Sequence, residues 1–424
     1  MVLNSDDHVI LPADSPQKER DYRWRRIQRF MDERGLDGLL VFGSDSPLAV
    51  GADHYLTNDR PGQHVVFPRH GNPVSMVPST QFVAQHLISV ERGEDTWIED
   101  LRVGMGGAAV VGVLKEMGLE NWRIGTVGLG ALGTSYLREG WVSYQTWLPI
   151  KETMPNTAFQ DVTFDFVVLM GERSPHDIAC LRRAAEAAEE GCKVVIAATR
   201  VGATELDLYS VGMYALLKNG AYATWMILTS GQDNFSWGPP TWAFRETPPR
   251  VLQQGDIVMV EMFPHYGGME AQIQLAIAVG DIHPDHEKCA KAARKSYEAG
   301  LAAIKPGALF GEVCEAMEEP VREIGGWHLT PMAHTMNPLS HTSQRALDIE
   351  KQVPEIAIRY KNVRGRGRIG GDFELKPGMC LELEPNAHLG RRRVNIGGTV
   401  VVTKTGVEEL NKIPNVVQRV SGRG

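Results

Sequence analysis

The chain has 424 residues, 43% of them hydrophobic and 23% charged, with a formal net charge of -8. That length exceeds one ordinary core and argues for two domains of roughly 100 to 250 residues each, and the composition is that of a globular protein. The acidic balance, with no basic run beyond Arg391-Arg392-Arg393, argues against nucleic acid as the main partner, and no apolar run approaches the roughly 18 residues that span a bilayer.

In chain order, MVLNSDDHVILPADS is acidic and Pro-broken, without the basic and apolar regions of a signal peptide. RDYRWRRIQRFMDER, from Arg20 to Arg34, places Tyr22, Ile27, Phe30 and Met31 at helical spacing, and Gly35 stops it. GLDGLLVFGS predicts a buried strand and His64 to Phe67 a second; similar alternations run to about residue 150. Residues 1–160 are therefore expected to form an α/β domain. Ser174-Pro175 opens a long helix, Gly202 to Glu205 breaks it, and further helices run from about Asp285 to Ile304 and from Phe310 to Ile324. Residues 161–424 are expected to form a second domain of helices and hairpins, with no nucleotide-binding fingerprint. The five cysteines, Cys180, Cys192, Cys289, Cys314 and Cys380, are scattered and lack metal spacing, which fits a cytoplasmic location.

The most informative stretch is GDIVMVEMFPHYGGMEAQIQLAIAVG, from Gly255 to Gly280. It predicts two strands joined at Pro264, Gly267 and Gly268. On the returning strand Ala271, Ile273, Leu275, Ile277 and Val279 share one face, and Glu270, Gln272 and Gln274 share the other. Such a polar face, with Glu261 on the strand before it, is either solvated or lines a site. Glu382 and Glu384 form a similar pair, roughly 7 Å apart on one side of a strand. Like charges at that spacing raise the proton affinity of one partner, so one carboxyl can act as acid while the other stays ionised. A solvated strand, or ion pairs to Arg391, Arg392 or Arg393, is the alternative.

These stretches resemble the creatinase, prolidase and aminopeptidase P family, of the M24 type, over nearly the whole chain. The resemblance rests on GLDGLLVF, ERSPHDIACLRRA, VGATELDL, GDIVMVEMF with its returning AVGD, LKPGMCLELEP and GGTVVVTKTGVEEL. It implies an α/β N-terminal domain and a C-terminal pita-bread domain. In the metal-dependent members, two Asp, one His and two Glu hold two ions that bridge and activate a water. Those positions fall here on Glu261, Gln272, His334, Glu384 and Gly397. Gln272 is a neutral, weak ligand and Gly397 supplies none, so no two-metal centre and no cofactor is expected. The pattern leaves room for a single divalent ion on Glu261, His334 and Glu384. Creatinase itself hydrolyses its substrate without metal, and MFPHYGG resembles its turn.

The same resemblance implies further site residues. Arg345 follows His341 by four residues, at the spacing of an arginine that binds the substrate carboxylate, and Arg60 matches an arginine that reaches a neighbouring subunit's pocket. Guanidinium groups suit bidentate carboxylate binding, although any single arginine is as readily a surface side chain. The family's general base, a His shortly before the hairpin, is missing from TSGQDNFSWGPPTWAFRETPPRVLQQGD. Phe235, Trp237, Trp242 and Phe244 stand there, either as loop packing or as a wall for a flat or cationic substrate. His265 and His341 are then the candidates for proton transfer. VRGRGRIGG reads as a surface loop or an anion-attracting lid.

Together the expected catalytic group is Glu261, His334, His341, Glu382 and Glu384. The expected substrate-binding group is Arg60, Arg345, Gln272, Gln274, His265, Trp237 and Trp242. The expected protein is a homodimer with shared sites that hydrolyses or cleaves a small carboxylate-bearing substrate carrying, in some options, an aromatic or nitrogen-containing group. A one-metal M24-type hydrolase or lyase, and a non-catalytic binding module, remain open alternatives.

Overall fold

The computed structural model describes residues 16–44, 51–131, 139–336, 342–343, 349–361 and 371–422. Among these the chain divides into two compact units, one running to Met170 and the other starting at Gly171.

The first unit is an α/β domain built around β1 (Gly38–Phe42), whose five residues GLLVF are all buried. A strand buried on both faces must be apolar throughout, which is why it reads as a continuous run. Leu39 and Val41 enter one core with Ile27, Phe30 and Met31 of α1 (Pro16–Arg34), while Leu40 and Phe42 enter another on the opposite face. Gly35 ends α1 at φ 60, the left-handed conformation that glycine adopts without penalty. After α2 (Ala52–Thr57) come β2 (His64–Pro68), β3 (Val74–Val77), α3 (Thr80–Glu91), β4 (Asp100–Val103), α4 (Gly107–Glu116), β5 (Arg123–Val127), α5 (Tyr144–Thr153) and β6 (Ala158–Asp161). The sheet order is β4-β3-β2-β1-β5-β6, with β1 antiparallel to β2 and parallel to β5. α6 (Thr163–Gly171) puts Phe166 and Val167 into the α1 core. The division therefore falls after Met170 rather than at the residue 160 read from the sequence.

The second unit opens with α7 (Pro175–Ala198) and α8 (Glu205–Lys218), each started by a capping box, Ser174 with Asp177 and Thr204 with Asp207. They cover Val258, Val260 and Met262 of β8 (Ile257–Met262) and Leu275, Ile277 and Val279 of β11 (Ile273–Val279). β7 (Met226–Gly231) flanks β8, and between β8 and β11 the chain forms a two-stranded extension, β9 (His265–Tyr266) with β10 (Met269–Glu270). α9 (Pro284–Ala303) and α10 (Phe310–Glu323) build another core with Leu381, Leu383, Val400 and Val402. The remaining strands are β12 (Ala333–Thr335), β13 (Thr342–Ser343), β14 (Cys380–Leu383), β15 (Asn386–Leu389), β16 (Arg392–Asn395), β17 (Gly397–Val402), β18 (Val407–Glu409) and β19 (Gln418–Val420). The main sheet runs β13-β12-β14-β17-β11-β8-β7, with β18 on β17 and β19 on β11. Among the described residues, no helix is long and apolar enough to cross a membrane.

Candidate active site

Residues directly opposite on neighbouring strands share a face of the sheet. Glu261 of β8 lies opposite Gln274 of β11, and Gln274 lies opposite Gly397 of β17. Two residues along, Glu382 of β14 lies opposite both Thr399 of β17 and His334 of β12. Side chains alternate along a strand, so Gln272 joins Gln274, Thr399 joins Gly397, and Glu384 joins Glu382 on that same face. The register thus assembles one polar surface from four separate parts of the sequence. Opposite β-faces of these strands supply the apolar cores, which is how one sheet buries its hydrophobic side chains and still presents this surface.

Hydrogen bonds tie the rows together. Thr399 Oγ1 accepts from the Gln272 amide nitrogen at 2.8 Å and lies 3.0 Å from Glu382 Oε2. Gln274 Nε2 donates to Glu384 Oε2 at 3.4 Å. The missing side chain of Gly397 makes this reach possible: a Cβ there would sit 2.8 Å from Gln274 Oε1 and 2.0 Å from Leu383 O. Trp237 Nε1 donates to Glu261 Oε2 at 3.2 Å, so the aromatic residue from the loop before the hairpin does reach the site. Trp242 instead packs edge-on to Tyr209, with ring centroids 5.5 Å apart.

His265 and Glu270, brought together by the β9–β10 extension, form an ion pair of 2.9 Å. His265 Nδ1 is 3.0 Å from the Phe263 carbonyl, which only accepts, and Nε2 faces the Glu270 carboxylate, so both ring nitrogens carry protons. Burial opposes this imidazolium, but the charge and hydrogen bond of Glu270 outweigh it and raise the His265 pKa. Burial likewise opposes the Glu270 anion, and His265 holds its carboxyl below the ordinary value. Gln272 Nε2 donates to Glu270 Oε1 at 3.0 Å.

Glu261, Glu382 and Glu384 are 3, 0 and 2% exposed. Burial pushes Glu261 up to about 7, against the charge of Arg393 and hydrogen bonds from Gln274 and Trp237. Glu382 and Glu384 are raised well above the usual carboxylate range, first by burial and then by the neighbouring carboxylates, with Arg393 again opposing for Glu384. His334 Nδ1 lies 2.9 Å from Thr335 O and Nε2 lies 3.7 Å from Glu384 Oε1; burial lowers its pKa.

The arginine triplet divides in a way its sequence does not show. Arg391 pairs with Glu355 at 2.9 Å and Arg392 with Asp233 at 3.0 Å. Arg393, alternating to the inner side of β16, is 2% exposed, donates to Ser236 O at 2.9 Å, and is the cation that moderates Glu261 and Glu384. Thr399 is absent from the sequence reading, which places Glu270 on the polar face without a partner and names Arg393 only as one of three possible ion-pair partners. The period-two spacing of Arg393, Asn395 and Gly397, and of Glu270 with Gln272, was the available signal.

Arg60 belongs to the first unit, exposed beside a cavity of about 190 Å³, its guanidinium 4.9 Å from the Phe82 ring centroid. Its loop is held by Asp53, whose buried carboxylate accepts from the Gly62 and Gln63 amides at 2.7 and 2.9 Å, and by Gln63 Nε2 on Arg60 O at 3.1 Å. His341, Arg345 and most of VRGRGRIGG lie outside the described residues.

The five positions that the sequence resemblance matches to metal ligands hold two carboxyls (Glu261, Glu384), one imidazole (His334), a carboxamide (Gln272) and a bare glycine (Gly397). Among the described residues, no group of three or more His, Cys, Asp or Glu is placed to hold an ion.

Comparison with known proteins agrees with this architecture. Creatinase from Bacillus sp. (strain B-0618) is 23% identical over 439 residues, covering 97% of this chain and 95% of its own. Methionine aminopeptidase B of Synechocystis sp. (strain ATCC 27184 / PCC 6803 / Kazusa) is 25% identical over 159 residues, and there the chain spans only 52% of the relative. Among solved structures, the X-Pro aminopeptidase of Thermotoga maritima superposes with a TM-score of 0.72 at 16% identity, covering 94% of this chain and 99% of that one. The Xaa-Pro dipeptidase of Bacillus anthracis gives 0.69 at 18%, covering 95% and 100%. At such identities the structures establish the shared pita-bread fold. Residues 179–404, more than half of the chain and including the whole polar face, match the model of metallopeptidase family M24, and the chain belongs to that family.

Proposed function

We propose that this chain is a creatinase-like hydrolase or lyase that cleaves a small carboxylate-bearing substrate without a two-metal centre. The observation that carries the proposal is the donor set. Gln272 offers a neutral amide where a bridging carboxylate is required, Gly397 offers no donor, and the Gln274 amide lies across Gly397 to Glu384. A protein-internal amide therefore occupies the gap between Gln274 and Glu384, and a dinuclear ion pair does not fit these residues.

In this reading Glu261 and Glu384 form the polar floor. Glu261, with its pKa near neutrality, suits proton exchange. His334 and His341 are the further proton carriers, and the His265 imidazolium fixes Glu270 as an anion beside Gln272. Arg345, with Arg60 of a partner subunit, anchors the substrate carboxylate. The firm geometry of the Arg60 loop supports an anchoring role, since a guanidinium held on a satisfied backbone loses less freedom on binding.

The test is complementation, on a C–N-linked carboxylate that the wild-type protein turns over. Arg60→Ala and Glu384→Ala chains, each inactive as homodimers, form on mixing a heterodimer with one intact site, so activity returns. Verified heterodimers without activity overturn the shared site. No turnover by wild-type protein across small carboxylate-bearing amides and guanidino acids overturns the enzymatic reading.

A further inference from the structure

The loop of residues 232–237, which leaves β7 and ends at Gly238-Pro239-Pro240, is gripped from outside the polar face. Three consecutive arginines at the start of β16 each engage a different residue of it. The Arg391 guanidinium lies 5.7 Å from the Phe235 ring centroid, Arg392 pairs with Asp233 at 3.0 Å, and Arg393 donates to Ser236 O at 2.9 Å. Arg391 is itself oriented by Glu355 at 2.9 Å. Within the loop, Asn234 Oδ1 accepts from the Ser236 amide at 3.1 Å and from its hydroxyl at 2.6 Å, so the gripped residues move together. The last residue of the loop is Trp237, whose indole donates to Glu261 Oε2 at 3.2 Å.

The ends of the loop are built to turn. Gly231 and Gly238 bracket it at φ 137 and 134, a region glycine adopts freely, which places a hinge at each end. The outer grips are partly exposed: the Arg392 and Asp233 side chains are 28 and 56% exposed. An exposed ion pair or cation–π contact is individually weak and is screened by salt. The loop is therefore held by contacts strong enough together to seat it and weak enough singly to release it. We infer that Arg391 and Arg392 are positioning residues: with Arg393 they clamp this loop shut, seat the Trp237 indole on Glu261, and on release open Glu261 to solvent. The inference deepens the reading of Glu261 as a proton-exchanging group, because it names what controls access to that carboxyl.

The experiment follows indole N–H signals by NMR in intact protein isotope-labelled at its tryptophan nitrogens, with Trp237 identified by the signal missing from Trp237→Phe. The readout is the exchange of that indole proton with water. Arg391→Met combined with Arg392→Met is expected to speed it by about 10-fold, the factor that two exposed contacts of this kind together supply. Arg391→Lys combined with Arg392→Lys keeps both charges and is expected to stay within about 3-fold of wild type. The buried Trp327 indole, which donates to Gly390 O at 2.9 Å, is the control and is expected to keep its rate throughout. An unchanged Trp237 rate in the Met variant, equal acceleration in the Met and Lys variants, or equal acceleration at Trp327 overturns the inference. Should the Met variant fail to fold, wild-type protein decides: raising salt from about 0.05 to 1 M is expected to speed Trp237 exchange several-fold and leave Trp327 unchanged, and no response to salt overturns the clamp. A failed exchange test leaves the hydrolase or lyase reading standing, and wild-type protein without turnover leaves the clamp standing.

Discussion

Gly397→Ala probes the packing on which the site reading depends. A Cβ at this position would sit 2.0 Å from Leu383 O, 2.8 Å from Gln274 Oε1 and 2.9 Å from Glu384 Cα. The amide of Gln274 can swing away, but two of the three neighbours are backbone of the adjoining strand and its continuation. Overpacking of this kind costs about 1–3 kcal/mol, and a fixed carbonyl places it at the upper end, about 3 kcal/mol. Replacing glycine returns about 0.4–1 kcal/mol through the unfolded chain. The net loss is then about 2 kcal/mol or more, which for a unit of this size lowers Tm by roughly 4–8 °C. Thermal unfolding read by circular dichroism measures it. A variant within about 1 °C of wild type refutes the reasoning, because a site that takes a side chain at Gly397 also has room for the family's carboxylate ligand.

Two other perturbations test the electrostatics. Asp53 is buried and its pKa is pushed up to about 7 from 3.8 by burial. Its folded value lies above its unfolded one, so its contribution is fully present below about pH 4 and is lost as pH rises through 7, with an upper bound of about 4 kcal/mol. Asp53→Asn should therefore be more stable than wild type at pH 8 by about 1–3 kcal/mol, with the advantage vanishing near pH 4; a difference independent of pH in urea titrations would show that burial does not govern Asp53. Arg393→Met removes the buried cation whose charge lowers the pKa of Glu261 and Glu384 and the donor to Ser236 O, and losing a buried hydrogen-bond partner costs about 1–3 kcal/mol. Both carboxyls are ionised more at high pH, so the loss should be larger at pH 8 than at pH 5. Equal losses at the two values would remove Arg393 as their counter-charge.

Much of this molecule was legible in its sequence, and what escaped has a common cause. The GLLVF strand, the helix opened by Ser174-Pro175, its break at Gly202 to Glu205 and the hairpin at Gly255 to Gly280 are local signals, and the structure builds each of them. The polar faces of Gln272 with Gln274 and of Glu382 with Glu384 were visible as period-two alternation. Their joining was not, because register between β11, β17 and β14 is a long-range property. The sequence offers Arg391, Arg392 and Arg393 alike as ion-pair partners for Glu382 and Glu384, yet strand alternation turns only Arg393 inward while Arg392 pairs with Asp233. Glu270 gained its partner only through the β9–β10 extension, which reverses the chain within six residues and sets it against His265. The sequence shows at Gly397 only a residue without a side chain; that the Gln274 amide takes up the space is a fact of packing.

The measurement that tests the central claim most directly is the metal content of purified, catalytically active protein by mass spectrometry, made on the same sample whose turnover is measured after exhaustive chelation. A site built from Glu261, Gln272, His334, Glu384 and Gly397 predicts well under one ion of manganese, iron, cobalt or zinc per chain and activity that survives the chelator. Two ions per chain, with activity lost on their removal and restored on their return, would contradict it.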